Sequence, residues 1–377
     1  MNRASKTTRW TATLADVARE AGVSKNAVSV VLNGAKESTR VSDATRLRIL
    51  DAAGRLQYRP NASAQSLVRG RTNIIGVLFG DVQFVPADIQ DEYGATILQG
   101  IMGTCANYDF NITLFVKPWF ISHNDITVYR DQGTDGIVVI APSAGSGVIE
   151  GLVSQGVYVS AVSYPGRLND STDTGWDSVD TDNILGARMA TEYLLRLGHR
   201  RIAHLMGTTT LVSAQQRYAG YREALENNAI PFAEELVIQR VGAKSLDGAY
   251  SGKYAAEDTR RLLALPDSPT AIFAANDAMA AGVLREASEL GVKVPEQLSV
   301  IGFDDRLFTT TLSPPLTTVR QPLVTIGEKV AELLIKRILG RGGHSEEEAA
   351  TLPTTHLFAP ELIVRGTTGP EQRIVRK

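Results

Sequence analysis

The chain has 377 residues, 43% hydrophobic and 21% charged, with 39 Lys and Arg against 41 Asp and Glu for a formal net charge of −2. That length suits two or three folded units with their own cores, and the composition excludes a fibrous or largely disordered chain. A single cysteine, Cys105, excludes an internal disulfide and any multi-cysteine metal site, and fits a reducing compartment.

The first thirty residues hold no long apolar stretch, which argues against a cleaved secretory signal. Apolar runs such as Gly136–Ala141 are far too short to span a bilayer. The total charge hides a division. Residues 1–71 carry 13 Lys and Arg and 5 Asp and Glu, a net of +8, and the remainder carries −10. A basic module on an acidic body points to a polyanionic partner at the N-terminus, although on charge alone a solvated helical surface explains it equally well.

In chain order, residues 13–56 predict three short helices. Thr13 caps Leu14–Ala21, with Asp16 as the acidic partner in the first turn, and Gly22 breaks the helix. Ser24 caps Lys25–Leu32, which Asn33-Gly34 ends, and Ser42 caps a third helix whose Ile49, Ala53 and Leu56 recur at helical spacing. Arg59-Pro60 closes the unit. From Asn73 onward, short apolar runs alternate with amphipathic stretches. The runs Ile74–Phe79, Ile112–Val116, Gly136–Ile140, Val157–Val162, Arg201–Met206, Ala271–Ala274 and Leu298–Phe303 predict strands. Ile184–Leu197, Tyr218–Asn227, Ala255–Leu265 and Ala278–Leu290 predict helices. Alternation of this kind implies parallel sheets covered on both faces, and its extent implies two lobes. The tail after Gly366 is expected to fray.

The spacing from Leu14 to Gly34 fits a helix-turn-helix. Small Ala18 lets the helices approach, Gly22 permits the turn, and Val17, Val23, Val28 and Val31 or Leu32 fill the wedge between them. Lys25, Asn26, Ser29 and Asn33 then lie on the outer face of the second helix, which fits a major groove with its N-terminal side chains at the base edges.

Gly22-Val-Ser24, Val28-Ser29, Leu32-Asn33-Gly34, Val41-Ser42, Tyr58-Arg-Pro-Asn61, Ala64, Leu67 and Arg71–Gly76 closely resemble the LacI/GalR family of bacterial transcriptional regulators. The likeness continues to about Arg365. It implies an all-α helix-turn-helix domain over residues 1–60 and a hinge helix and linker over 61–72. It also implies an α/β body of the two-lobed type I periplasmic-binding-protein kind over 73–368, with a tail at 369–377. Lobe 1 would span about 73–180 plus 321–342, and lobe 2 about 181–320 plus 343–368. By the same resemblance Thr13, Ser24, Lys25, Asn26, Ala27, Ser29, Val30, Asn33, Asn61, Ala64 and Leu67 contact DNA, with Leu67 wedged into the minor groove from a hinge helix that folds on docking. Many family members carry an arginine where this chain has Val30. Valine makes only apolar contact with a base edge, so the operator sequence departs from the usual one.

The body carries the resemblance in Ser178–Asn183, Leu197–Ile202, Arg217–Tyr221, Ala275-Asn-Asp277, Val300–Asp305 and Pro314–Val319. Arg217, Asn276 and Asp304 match effector-binding positions, and Phe84 and Ser163 join them as candidates; Trp119 and Tyr250 are further aromatics near the expected cleft. Independently of family, Asn276 and Asp304 follow apolar runs, at the strand ends where open α/β sheets bind ligands. A guanidinium, a carboxylate and an amide suit a polyhydroxylated molecule. Asp277 and Asp182 read as helix caps, and His199 as a turn residue after a helix.

The whole implies a repressor in the bacterial cytoplasm, at the nucleoid, whose affinity for palindromic double-stranded operator DNA is set by a small carbohydrate effector. A homodimer is expected, since two recognition helices on a twofold axis read a palindrome; pairing of dimers into tetramers is left open. No cofactor, no metal and no membrane partner are expected. A solute-binding protein of a transport system is the alternative that the body alone suggests, and the basic head argues against it. An enzyme is disfavoured because no dinucleotide loop, phosphate loop or nucleophile elbow occurs, and five histidines show no zinc spacing.

Overall fold

The computed structural model describes residues 12–33, 41–59, 66, 70–80, 92–116, 125–130, 133–164, 175–240, 252–340 and 354–372. The chain divides into two compact units, residues 1–74 and 75–377.

Among the described residues, the first unit contains the helices α1 (Leu14–Ala21), α2 (Lys25–Asn33) and α3 (Asp43–Arg55). Each start is set by a hydroxyl. Thr13 and Asp16 form a reciprocal capping box, and Ser24 and Ser42 accept the backbone N–H of Ala27 and Thr45. Gly22 ends α1 at φ 66°, a left-handed turn that glycine adopts without strain. Val17, Ala18, Val28 and Ile49 fill the wedge between the helices, with small alanines 21, 27, 52 and 53 letting them approach.

The second unit contains two six-stranded sheets. The first has the order β11-β5-β4-β3-β1-β2, built from β1 (Ile74–Phe79), β2 (Asn111–Phe115), β3 (Gly136–Ile140), β4 (Tyr158–Val162), β5 (Asp177–Thr181) and β11 (Thr355–Phe358). The second has the order β12-β10-β9-β8-β6-β7. Its strands are β6 (Ile202–Thr208), β7 (Val237–Arg240), β8 (Ala271–Ala274), β9 (Ser299–Asp304), β10 (Thr317–Arg320) and β12 (Glu361–Ile363). Pairing along the second sheet is parallel except for the edge strand β12, antiparallel to β10.

Helices cover both faces of each sheet, as the near-continuous apolar strands require. On the first sheet, α4 (Glu92–Asn107) and α11 (Leu323–Gly340) seal one core, while the short α5 (Thr127–Arg130) and α6 (Val148–Ser154) seal the other. On the second, α9 (Gly252–Leu263) and α10 (Asp277–Glu289) pack one face, and α7 (Asn183–Arg196) and α8 (Val212–Asn227) the opposite face. No apolar cluster among the described residues spans both sheets. The two lobes therefore have separate cores, joined by three short crossovers at residues 181–183, 320–323 and 358–361.

Two expectations are corrected. Residues 343–368 do not all belong to the second lobe. Thr355–Phe358 pair in parallel with Ser178–Thr181 in the first sheet, and Phe358 packs against the first core. Nor do residues 367–372 fray. Thr367 is fully buried, its hydroxyl donating to the Val300 carbonyl, and Gly369 and Glu371 donate backbone N–H groups to Ser299 and Leu197. His199 holds this segment. It is buried, with ring nitrogens against Thr270, Ser299 and the Gly369 carbonyl, a larger role than closing a helix.

The crossing of α4 and α11 shows how closely the layers approach. A Cβ on Gly100 would meet the Val324 carbonyl, and one on Gly327 would collide with the Ile97 carbonyl, both rigid backbone. Gly327→Ala should therefore destabilise the body by ~1–3 kcal/mol through overpacking. Gly103→Ala, also in α4 but with no atom within 4 Å of the added carbon, should be neutral or stabilising by up to ~1 kcal/mol. Urea midpoints of the two variants should move in opposite directions; equal shifts would show that the crossing imposes no such limit.

Candidate functional site

The first unit presents α2 by its N-terminal end. Lys25 and Asn26 are exposed in the first turn, and Ser29 and Val30 are half-buried one turn on. Ser24 is exposed with its hydroxyl engaged as the cap, and Thr13 is exposed with its side chain tied to Asp16 (2.6 Å). These hydrogen bonds from Thr13 hold the Asp16 carboxyl below the usual carboxylate range. Ala27 departs from expectation. It is buried in the three-helix core, because its methyl lies on the face that α2 turns toward α1 and α3, so it is corrected from contact to packing residue. Asn33 is the last residue of α2. Asn61, Ala64, Leu67, Phe84, Trp119 and Tyr250 lie outside the described residues.

In the second unit, the carboxyl ends of strands from both sheets meet at a buried polar network. It starts in the first lobe, where Tyr93, in the first turn of α4, lies 2.7 Å from the Ser163 hydroxyl just past β4. Ser163 is buried at φ 56° and donates to Asp180 Oδ1 (2.9 Å) in β5. Asp180 also accepts from the Thr181 N–H (2.8 Å) and from the amide of Asn183 (3.1 Å), the first residue of α7. Asn183 Oδ1 in turn accepts from Arg217 Nε (2.9 Å) in α8, and the network thereby passes into the second lobe.

Arg217 is buried, its guanidinium 3.8 Å over the Phe303 ring, with Nη1 donating to the Ala275 carbonyl and 3.9 Å from Asp304 Oδ1. It is a buried residue and not a surface ion-pair partner. Asp304 closes β9 at φ 123°, and Gln321 Nε2 donates to its Oδ1 (2.7 Å). Among the described residues, Arg217 Nη2 and Asp304 Oδ2 have no hydrogen-bond partner, so a free donor and a free acceptor stand on two side chains within ion-pair distance.

Of Asn276 and Asp277, the first and not the second caps the helix. Asn276 is the cap of α10, its Oδ1 accepting the Met279 N–H (2.8 Å). Asp277 is fully buried, and its carboxylate accepts from the Thr318 hydroxyl and the Arg306 N–H (2.8 Å). Asp182 does cap its helix, α7, through the Leu185 N–H.

Burial sets the electrostatics. It pushes the Asp180 carboxyl up to about 6, against the hydrogen bonds from Ser163 and Thr181. It raises Asp304, with Arg217 pulling the other way, and raises Asp277 well above the ordinary range, where the Asp304 charge adds to the effect. The Tyr93 hydroxyl is raised for the same reason and stays protonated. Nothing in the described residues gathers three metal-ligating side chains, and no helix among them is long and apolar enough to cross a membrane.

Residues 13–61 match the family described as bacterial regulatory proteins, lacI family, and residues 191–368 match a periplasmic binding protein-like domain. The transcriptional regulator DegA of Bacillus subtilis is 31% identical over 95% of this chain and 98% of its own length. Among solved structures, a complex of the transcriptional regulator CelR with cellobiose is 30% identical at a TM-score of 0.68, covering 94% of this chain and 99% of that one. The lac repressor dimer bound to operator and the anti-inducer ONPF is 26% identical at a TM-score of 0.77, covering 96% and 100%.

The perturbed carboxyl of Asp180 gives a pH signature. Its value of about 6 in the folded chain lies above the ordinary 3.8, so the folded state takes up a proton as pH falls through 6, while the unfolded state waits until 3.8. Across that window the parent should gain stability relative to Asp180→Asn, by up to ~3 kcal/mol. Urea titrations of both proteins at pH 7.5 and pH 4.5 measure it; a difference that does not change with pH would remove the perturbed carboxyl.

Proposed function

The chain belongs to the lacI family of bacterial regulatory proteins, and from that we propose a repressor released from or recruited to its operator by an uncharged, hydroxyl-rich carbohydrate held between the two lobes. It is a DNA-binding regulator of transcription, as its relatives are. The observation that carries the effector class is the Arg217–Asp304 pair. A hydroxyl both donates and accepts, so one hydroxyl or two adjacent ones satisfy the free Nη2 and Oδ2 together. A carboxylate or phosphate would use the arginine alone. It would bring a further negative charge beside Asp304, Asp277 and Asp180, all buried and all already shifted against ionisation.

Arg217, Asp304, Ser163 and the amide of Asn276 are the effector contacts we assign, and Tyr93 and Asp180 join them because the same hydrogen-bond chain reaches both. On the DNA side, Lys25, Asn26, Ser29, Val30 and Asn33 are assigned to the major groove, Thr13 and Ser24 to the phosphates, and Asn61, Ala64 and Leu67 to the hinge and minor groove. The exposed first turn of α2 and the net charge of +8 over residues 1–71 support this assignment. A homodimer on palindromic DNA follows from the short stretch that one such helix reads.

Two experiments test the reading. Capture and sequencing of genomic fragments with the full chain should give one enriched palindrome, and a chain lacking residues 1–60 should give none; a motif that survives the deletion would refute the DNA-binding assignment. Thermal shift against neutral mono- and disaccharides and their matching sugar acids and sugar phosphates should respond to a neutral member only. Asp304→Ala should lose that response by at least about tenfold in affinity while still unfolding cooperatively. A response confined to an acid or a phosphate would overturn the effector class.

A further inference from the structure

Glu92 is the first residue of α4, in the first lobe, and Arg306 follows β9 by two residues in the second. Both oxygens of the Glu92 carboxylate are engaged across the gap between lobes. Oε2 lies 3.3 Å from Arg306 Nε, and Oε1 accepts the Leu307 N–H at 3.1 Å. We propose that this grip is a latch that holds the lobes closed in the absence of effector, with Glu92 and Arg306 as positioning residues for effector control rather than effector contacts.

Separate cores make the latch matter. Among the described residues no apolar cluster bridges the sheets, and the contacts they make across the cleft are polar. Among them is a backbone hydrogen bond from Ala144 to Thr210 (2.8 Å), beside an antiparallel bridge between Ser143 and Leu211, which water can replace at small net cost. Another is Glu92, a side-chain contact, and the guanidinium it meets is only 2% exposed on the side chain, against 32% for Glu92. The same guanidinium also stabilises the charged forms of Asp277 and Asp304, so the ion pair ties Glu92 to the carboxylates at the end of β9.

The segment is also rigidly tied to the pocket. The Arg306 N–H donates to Asp277, its guanidinium lies 5.6 Å over the Phe308 ring, and Asp304 is two residues away. The Leu307 side chain is 78% exposed, so what docks on the first lobe is the backbone N–H and the buried arginine, not an apolar plug. A shift in how an effector seats on Asp304 is therefore delivered directly to the contact with α4.

The test uses the full chain without effector, carrying Ser154→Cys in the first lobe and Glu226→Cys in the second, both exposed, with spin labels on the two introduced thiols. Cys105 is 2% exposed and does not compete. Pulsed dipolar distances should show a single closed population in the parent. In Glu92→Ala the longer, open population should grow by roughly two- to fivefold. Glu92→Gln should fall between, because its amide oxygen still accepts from Leu307. Arg306→Met should resemble Glu92→Ala; if it does not fold, the half-exposed Glu92 position carries the test alone. Distance distributions for Glu92→Ala that match the parent overturn the latch. The function of closure rests on the effector-control reading, but this measurement needs neither effector nor operator. A latch that opens in a protein with no sugar response would thus fail that reading and leave the latch standing.

Discussion

A guanidinium can be buried as a charge only where its N–H groups and its counter-charge are provided by rigid neighbours. Arg217 meets that condition through three elements at once. Asn183 comes from the start of α7, the Ala275 carbonyl from the end of β8, and Asp304 from the end of β9, while the Phe303 ring supports the planar group from one side. Asn183 faces Arg217 correctly only because its amide is fixed by Asp180 and Gln216, and Asp180 is fixed by Ser163. The charge in the second lobe thus determines the orientation of side chains in the first. Parallel sheets supply these groups naturally, since every strand delivers its carboxyl end to the same edge and every following helix begins there with free N–H groups.

The division into lobes follows from the same arrangement. Each sheet buries its own apolar faces, and close helix crossings at glycines such as Gly327 and Gly220 leave the layers no slack. Among the described residues, the side-chain contacts that pass from one lobe to the other are polar. An apolar seam would weld them into one body, whereas a seam of hydrogen bonds and ion pairs exchanges with water or with a hydroxylated ligand at small net cost. Control by a ligand requires a differential affinity for two arrangements, and such a seam makes both accessible.

How far the sequence discloses this depends on what each residue does. Ile74–Phe79, Gly136–Ile140 and Ala271–Ala274 are strands with the bounds that their apolar runs indicate, because burial on both faces leaves no other composition. Asp177–Thr181 and Thr317–Arg320 give no such signal, although all of the first and most of the second are buried, since their polar side chains answer to distant partners: Asp177 to Arg337 and Thr354, Asp180 to Ser163, Thr317 to Thr368 and Thr318 to Asp277. Asp180 is hidden for that reason, and Tyr93 because nothing local marks a tyrosine that will reach a serine seventy residues away. α4 is equally obscure: three glycines in sixteen residues lower its helix propensity, and packing against α11 restores it. In the first unit the caps are legible because capping is local, but Ala27 is not, since a methyl group fits a core and a groove alike. Asn276 and Asp277 are adjacent and chemically similar, and only the tertiary partners Thr318 and Arg306 decide which one caps the helix.

The end of β9 shows what the site costs the fold. Asp304 and Asp305 are successive non-glycine residues at φ 123° and 59°, and conformations of this sort cost on the order of 1–3 kcal/mol each unless the surroundings enforce them. The enforcement is visible. The Asp305 carboxylate accepts from Arg320 Nε (2.7 Å) and from Arg365, and Arg365 is itself held by the Leu316 carbonyl (2.8 Å). Gln321 restrains Asp304 from the crossover that leads into α11. Glycine at either position would relieve the backbone and lose the carboxylate, so relaxation and function exclude each other here. The turn that results sets Asp304 beside Arg217 and, two residues later, sends Arg306 toward Glu92. A straighter exit from β9 would serve the core equally well and bring neither group to its partner, which is why the strain is found at this strand end.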